Sequence, residues 1–175
     1  MPSPSMLELL NRQVNLEVFS SNQYRQMSTW CEQKGLTNCA TFLLSQAEEE
    51  LDHMRKLWTF INETGGMADM GALDAPISSF DSAAEVFESA MAHEKKVTRS
   101  INEMVAHAFS EQDFATFNFL QWFVSEQVEE EALFQTILDR MGLIGSGDRS
   151  LYFFDQEIAQ IQAQIPNGPA GEGAE

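Results

Sequence analysis

Four stretches of this chain repeat apolar residues at the three- and four-residue spacing of an amphipathic helix, and each breaks its apolar line with a side chain that belongs in water. The first line runs Leu7, Leu10, Val14, Tyr24, Met27 and Cys31, with Glu17 among them. The second is Leu43, Ala47, Met54, Leu57 and Ile61, with Glu50. The third is Phe87, Ala90 or Met91, Val97, Ile101, Met104 or Val105, and Ala108, with Glu94. The fourth is Phe119, Leu120, Phe123, Phe134, Ile137 and Met141, with Gln127 and Glu130. Helices of this kind bury their stripes against one another, and in doing so they bury the carboxylates too. A bare carboxylate in a protein interior costs several kcal/mol. No Lys or Arg lies in these stripes, so something cationic must stand between the helices.

The punctuation sets an all-α fold of four long helices and a short fifth. Ser5-Met6-Leu7-Glu8 reads as a capping box opening the first helix, which should stop at Gly35. The second starts near Thr37 or Asn38 and ends at Gly65-Gly66, close enough to the first to be its antiparallel neighbour. Residues 65–82 have no helical period and carry Gly71, Pro76 and Ser78-Ser79. Extended at about 3.3 Å per residue, such a link reaches about 56 Å, more than the length of a bundle helix. It is therefore expected to cross the bundle between parallel second and third helices. A second capping box, Ser82-Ala83-Ala84-Glu85, opens the third helix, and a break near Ser110 to Asp113 precedes the fourth, which ends at Gly142. The fifth carries Leu151, Phe154, Ile158, Ile161 and Ile165. The expected division is one domain over residues 1–165 and a flexible tail over 166–175, where Pro166 ends the pattern.

With 27 acidic against 10 basic residues, the net charge of -17 repels phosphate backbones and anionic lipid. Neither nucleic acid nor membrane is an expected partner, and no apolar run approaches the ~20 residues that span a bilayer. A soluble, cytoplasmic protein is expected. Cys31 and Cys39 share no Cys-x-x-Cys spacing and read as two free thiols.

Glu50 and His53, three residues apart on one helix, are surface neighbours that one metal ion can bridge. In the crossover arrangement Glu17, Glu50, Glu94, Gln127 and Glu130 fall roughly 11 to 17 residues above the bundle floor, a slice about 9 Å thick. Mid-height groups would also meet in a bundle that simply alternates up and down. The four carboxylates balance two divalent cations. Carboxylate oxygens with one imidazole suit iron, manganese or zinc, and the absence of paired thiolates argues against structural zinc.

The segments Asn15-Leu16-Glu17, Glu50-x-x-His53, His93-Glu94 and Asn118 through Gln127 with Glu129-Glu130 resemble a bacterial non-haem ferritin. The resemblance covers essentially Ser5 to Ile165 and carries the family's expectations with it. Glu17, Glu50 and His53 would hold the first iron, and Glu50, Glu94 and Glu130 the second, with Gln127 beside it. Glu49, Glu126 and Glu129, together with Glu130, match a possible third iron site, while Glu126, Glu129 and Glu131 equally fit a solvated helix face. Tyr24 matches a tyrosine that hydrogen-bonds near the metals and can donate an electron, and it equally fits a buried tyrosine with a satisfied hydroxyl. Leu51 stands where bacterioferritins place a haem-ligating methionine, so no haem is expected.

The implied function is iron storage, in which Fe(II) is oxidised by O2 or peroxide and deposited as a ferric mineral inside a homo-oligomeric shell of twenty-four subunits. The second metal position has Gln127-x-x-Glu130 and no histidine, which suits iron that passes through as substrate. The alternative is a discrete peroxidase- or oxygenase-like di-iron enzyme that retains its iron. A departure from the animal family also stands out. Phe117 and Leu120 occupy positions where animal ferritins line their three-fold channels with acids, so an apolar constriction is expected there.

Overall fold

The computed structural model describes residues 1–147 and 149–164. Its elements are α1 (Pro4–Gln33), α2 (Thr37–Glu63), α3 (Ala83–Ser110), α4 (Phe114–Ile144) and α5 (Ser150–Gln164). The predicted tail and Ile165 lie outside the described residues.

Helix α1 starts two residues earlier than the Ser5 capping box implied. Ser3 is the cap, its Oγ accepting from the Met6 amide, and Pro4 takes the first-turn position that needs no N–H. The Ser3 and Ser5 hydroxyls both donate to the Glu111 carboxylate just past α3, tying the start of α1 to the α3–α4 turn. Gly35 follows α1 at φ 75°, a left-handed conformation that a glycine adopts without strain. The second capping box forms in modified shape. Ser82 Oγ accepts from the Glu85 amide, while Glu85 reaches past Ser82 to the Asp81 amide. Asp113 caps α4 through the Thr116 amide. Gln112, in the α3–α4 turn, holds φ 58° without being glycine.

Cross-helix contacts give the topology. Between α1 and α2, Ser21 donates to the Ala47 carbonyl and Ser28 to that of Ala40, so the two run antiparallel. Between α1 and α3, Arg12 meets Glu103 and Ser20 meets His93, again antiparallel. Helices α2 and α3 are therefore parallel, and residues 64–82 form the helix-free crossover that joins them. Asn11 and Asn15 on α1 tether this crossover through its backbone at Met67, Asp69 and Gly71. Helix α4 runs antiparallel to α2, with Phe60 stacked on Phe119 at 3.9 Å and His53 edge-on to Trp122 at 5.4 Å.

The core is divided. One apolar cluster gathers Met27, Phe42, Leu43, Phe87, Phe134 and Ile137 at one end of the bundle. Another gathers Leu10, Val14, Leu57, Ile61, Val97, Ile101 and Phe123 at the other. The polar residues of the four stripes fill the slab between them. Leu120 belongs to the second cluster and is 0% exposed. Contrary to the expectation of a channel-lining position, its side chain packs into its own subunit.

Helix α5 closes the first end. Phe154, Asp155, Ile158 and Ile161 are buried, whereas Leu151, assigned to the inner line by its spacing, is 54% exposed with Tyr152 and Phe153 beside it. Phe154 meets Phe87 edge-on at 5.3 Å. Cys31 and Cys39 are free and buried, and burial pushes the Cys31 thiol up to about 12. Among the described residues no helix is long and apolar enough to cross a membrane.

Candidate metal centre

Each of the four long helices places its polar residues in the slab because each stripe keeps its helical period through them. Glu17 comes from α1, Glu50 and His53 from α2, Glu94 from α3, and Gln127 and Glu130 from α4. All are buried, and Glu130, the most open of them, is only 6% exposed. One ligand atom from each of Glu17, Glu50 and His53 can be chosen so that all lie within 4.8 Å of one another, close enough for a single ion. His53 Nδ1 stands 3.3 Å from Glu50 Oε2, without hydrogen-bonding geometry between them. Trp122 and Phe123 wall the imidazole edge-on, which fixes the ring plane.

The hydrogen bonds around this group are uneven. Glu94 accepts on both oxygens, from the Tyr24 hydroxyl on Oε1 and from Gln127 Nε2 on Oε2 at 3.0 Å. Glu17 accepts on Oε1 only, from Gln13 Nε2 at 2.9 Å. Glu17 Oε2, Glu50 Oε2 and Glu130 Oε2 are buried with no hydrogen-bond partner. These three orphaned oxygens come from three different helices. Among the described residues the Arg–carboxylate pairs, Arg12–Glu103, Arg25–Glu48, Arg55–Asp52 and Arg140–Glu157, are all outside the slab.

Burial is the largest force on these groups and pushes the Glu17, Glu50, Glu94 and Glu130 carboxyls above their ordinary range. Mutual repulsion adds to it, Glu50 acting on Glu17, and Glu94 acting on both Glu50 and Glu130. Burial likewise raises the Tyr24 hydroxyl, helped by Glu94. For His53, burial alone favours the neutral ring, but a contact with Glu126 and the charges of Glu17 and Glu130 outweigh it and raise the imidazole. A divalent cation would remove the repulsion, supply partners for the orphaned oxygens and take the imidazole as a neutral ligand. The donor set of carboxylates with one nitrogen suits iron, manganese or zinc.

The remaining acidic residues border an open groove of about 1450 Å³ between α2 and α4, lined by Glu49, His53, Trp122, Glu126, Glu129 and Glu130 among others. Glu49 is half-buried and accepts from Gln46 Nε2 at 2.7 Å. Glu126 Oε1 lies 3.8 Å from His53 Nε2, while Glu129 is exposed. Lys56 lies over the Trp122 ring at 4.5 Å on the groove wall.

Stripe periodicity missed Gln13 and Ser100. Gln13 falls one turn before Glu17, and that i, i+4 spacing was the available signal.

The sequence matches the Ferritin-like domain family over residues 7–144. It is 46% identical over 164 residues to a Haemophilus influenzae protein named "Probable bacterial non-heme ferritin-like protein", covering 94% of this chain and 99% of that one. It is 42% identical over 164 residues to the bacterial non-heme ferritin of Escherichia coli, with the same shares covered. Among solved structures, the open pore ferritin of Archaeoglobus fulgidus superposes with a TM-score of 0.87 at 42% identity, covering 90% of this chain and 96% of that one. Chlorobium tepidum ferritin gives 0.82 at 43% identity, covering 91% and 99%. A four-helix bundle with a carboxylate slab at mid-height, aligned over nearly its full length with proteins of one kind, leaves a single assignment: the chain belongs to the ferritin family, among the bacterial non-heme ferritins.

Proposed function

We propose that this chain is the subunit of a cytoplasmic iron-storage shell and that it oxidises Fe(II) at a dinuclear site within its own bundle. Glu17, Glu50 and His53 would take the first ferrous ion, and Glu50, Glu94 and Glu130 the second, with Gln127 beside it. Each ion gives up one electron to O2 or peroxide, and the ferric product moves on to a mineral in the shell interior. Glu49, Glu126 and Glu129 with Glu130 would form a third iron position on the groove, and Leu51 leaves the chain without a haem-ligating methionine. The observation that carries this reading is the buried Glu17, Glu50 and His53 group, with three carboxylate oxygens from three helices, on Glu17, Glu50 and Glu130, left without a hydrogen-bond partner. In a buried slab without Lys or Arg, metal is the partner that chemistry supplies.

The protein's own groups have separable tasks. Glu17, Glu50 and Glu130 offer free oxygens to the incoming ions, and His53 offers one nitrogen held in plane by Trp122 and Phe123. Tyr24 and Gln127 hold Glu94 on both oxygens, so Glu94 joins a metal only by sharing or releasing a hydrogen bond. Tyr24 also stands within one hydrogen bond of the second ion's ligand, in position to pass an electron. Assembly into a shell is supported by apolar surface that the subunit leaves uncovered, including Leu151, Tyr152 and Phe153 on α5 and Met67 and Ile77 on the crossover. Twenty-four copies is the number the family implies.

Aerobic addition of ferrous iron to the purified apoprotein tests the reading, with ferric absorbance and particle size followed together. Storage means many irons per chain in a large soluble particle. A stoichiometry that stops at two irons per chain, in a small particle, would overturn it in favour of a discrete di-iron enzyme.

A further inference from the structure

Glu17 and Glu94 are held in different ways. Glu94 has a donor on each oxygen, whereas Glu17 has one donor, Gln13 on Oε1, and its buried Oε2 has none, in a carboxylate that belongs with Glu50 and His53 to the candidate metal group. Gln13 is itself 0% exposed and is held from behind, because Ser100 Oγ on α3 donates to its Oε1 at 2.6 Å. With Glu17 ionised, as on a metal, the amide has one sense. Turned over, it would set its carbonyl oxygen against a carboxylate oxygen of ionised Glu17, two acceptors with no proton between them. Ser100, Gln13 and Glu17 form a directed chain that runs from the α1–α3 seam and ends on a carboxylate of the metal group.

We propose that Gln13, locked by Ser100, is a positioning residue that presents Glu17 to a divalent ion through the single oxygen Oε2. This rests on the reading that Glu17, Glu50 and His53 hold such an ion. A free carboxylate can turn either oxygen, or both, toward a metal and loses that freedom on binding. Gln13 removes the freedom beforehand. Loss of such an outer partner lowers metal affinity by about 10- to 100-fold. Glu94, held on both sides, gains nothing from Gln13, so the effect falls on one metal position and spares the other.

Anaerobic titration of the apoprotein with Co(II) alone, read by calorimetry and by the visible absorption of bound cobalt, tests this. The expected result is that Gln13→Leu weakens one metal equivalent by about 10- to 100-fold and leaves the other within about twofold. In a Glu17→Ala background the same change should have no further effect. Ser100→Ala should weaken the same equivalent by a smaller factor, and Ser100→Thr, which keeps the hydroxyl, should restore it. These two variants also carry the test should Gln13→Leu fail to fold. Unchanged affinity in folded Gln13→Leu or in Ser100→Ala, or equal weakening of both equivalents, overturns the positioning role alone. Absence of Co(II) binding by the unmodified protein overturns the metal centre and the positioning role together.

Discussion

The Asp155 carboxylate, carried by α5, accepts from the backbone N–H of Cys39 at 2.9 Å and of Asn38 at 3.0 Å, so the last helix caps the start of the second. Leu36, the residue in the cap position of α2, supplies no side-chain hydrogen bond of its own. Asp155 fills that role across 116 residues and adds a negative charge at the positive end of the α2 dipole. Asp155→Ala is expected to cost about 1 to 2 kcal/mol, the usual loss for a removed cap. The measurement is thermal unfolding, where about 2 to 4 °C is lost per kcal/mol in a chain of this size. Asp155→Asn, which keeps an acceptor, should lose less. An unchanged midpoint for Asp155→Ala would show that α5 docks by its apolar face alone.

His53 is the one nitrogen in the metal group, and its ring is fixed by Trp122 and Phe123. His53→Ala should remove the fast phase of iron oxidation, slowing it by more than the ~10- to 100-fold typical of outer-partner losses, while the particle keeps its size. Stopped-flow absorbance after mixing with ferrous iron reads the first, and light scattering the second. Rapid oxidation persisting in the variant would remove His53 from the centre.

The apoprotein should be less stable at pH 8 than at pH 5. Glu17, Glu50, Glu94 and Glu130 have folded-state values raised above the ordinary 4.5, chiefly by burial, so the folded state binds the extra protons. Their contribution is fully present below about 4.5 and is lost as pH rises through the raised values. His53, also raised, acts in the same direction above its ordinary 6.5. Urea unfolding of metal-free protein at the two pH values checks the sign. Divalent metal at pH 8 should restore stability, by about 2.7 kcal/mol at a free concentration a hundred times the dissociation constant. A metal-free protein that gains stability from pH 5 to pH 8 would contradict the buried-carboxylate account.

Glu130 stands between the slab and the groove, with one orphaned oxygen and with Glu49 and Glu126 close enough to raise its proton affinity. If Glu130 also hands iron toward the groove, as proposed, Glu130→Ala should slow repeated turnover by about tenfold and the first oxidation event by less. Successive additions of ferrous iron, each followed to completion, separate the two. Equal slowing of both phases would leave Glu130 as an ordinary ligand.

Much of this protein was legible before any coordinates. Periodicity located the four long helices, the crossover and the polar residue in each stripe, because a helix buries one face and its apolar spacing records which. It also identified the need for a cation, since buried carboxylates without basic partners carry a cost that composition alone reveals. What one-dimensional spacing could not supply was the partner that each side chain meets from another helix. Ser5 fits a capping box by its neighbours, yet Ser3 takes the cap, and both hydroxyls donate to Glu111 across the bundle end. Leu120 sits where a channel residue was expected, but it is fully buried within the apolar cluster of its own bundle. Asp155 and Gln13 look unremarkable in their own helices and acquire roles only from α2 and from Ser100. Sequence by itself determined the helices and the polar slab, which follow from local period, and pointed to a cation through the energy of burying charge. Tertiary structure alone decided which oxygens are tied and which are left for metal, because a hydrogen bond depends on distances between helices that no period encodes.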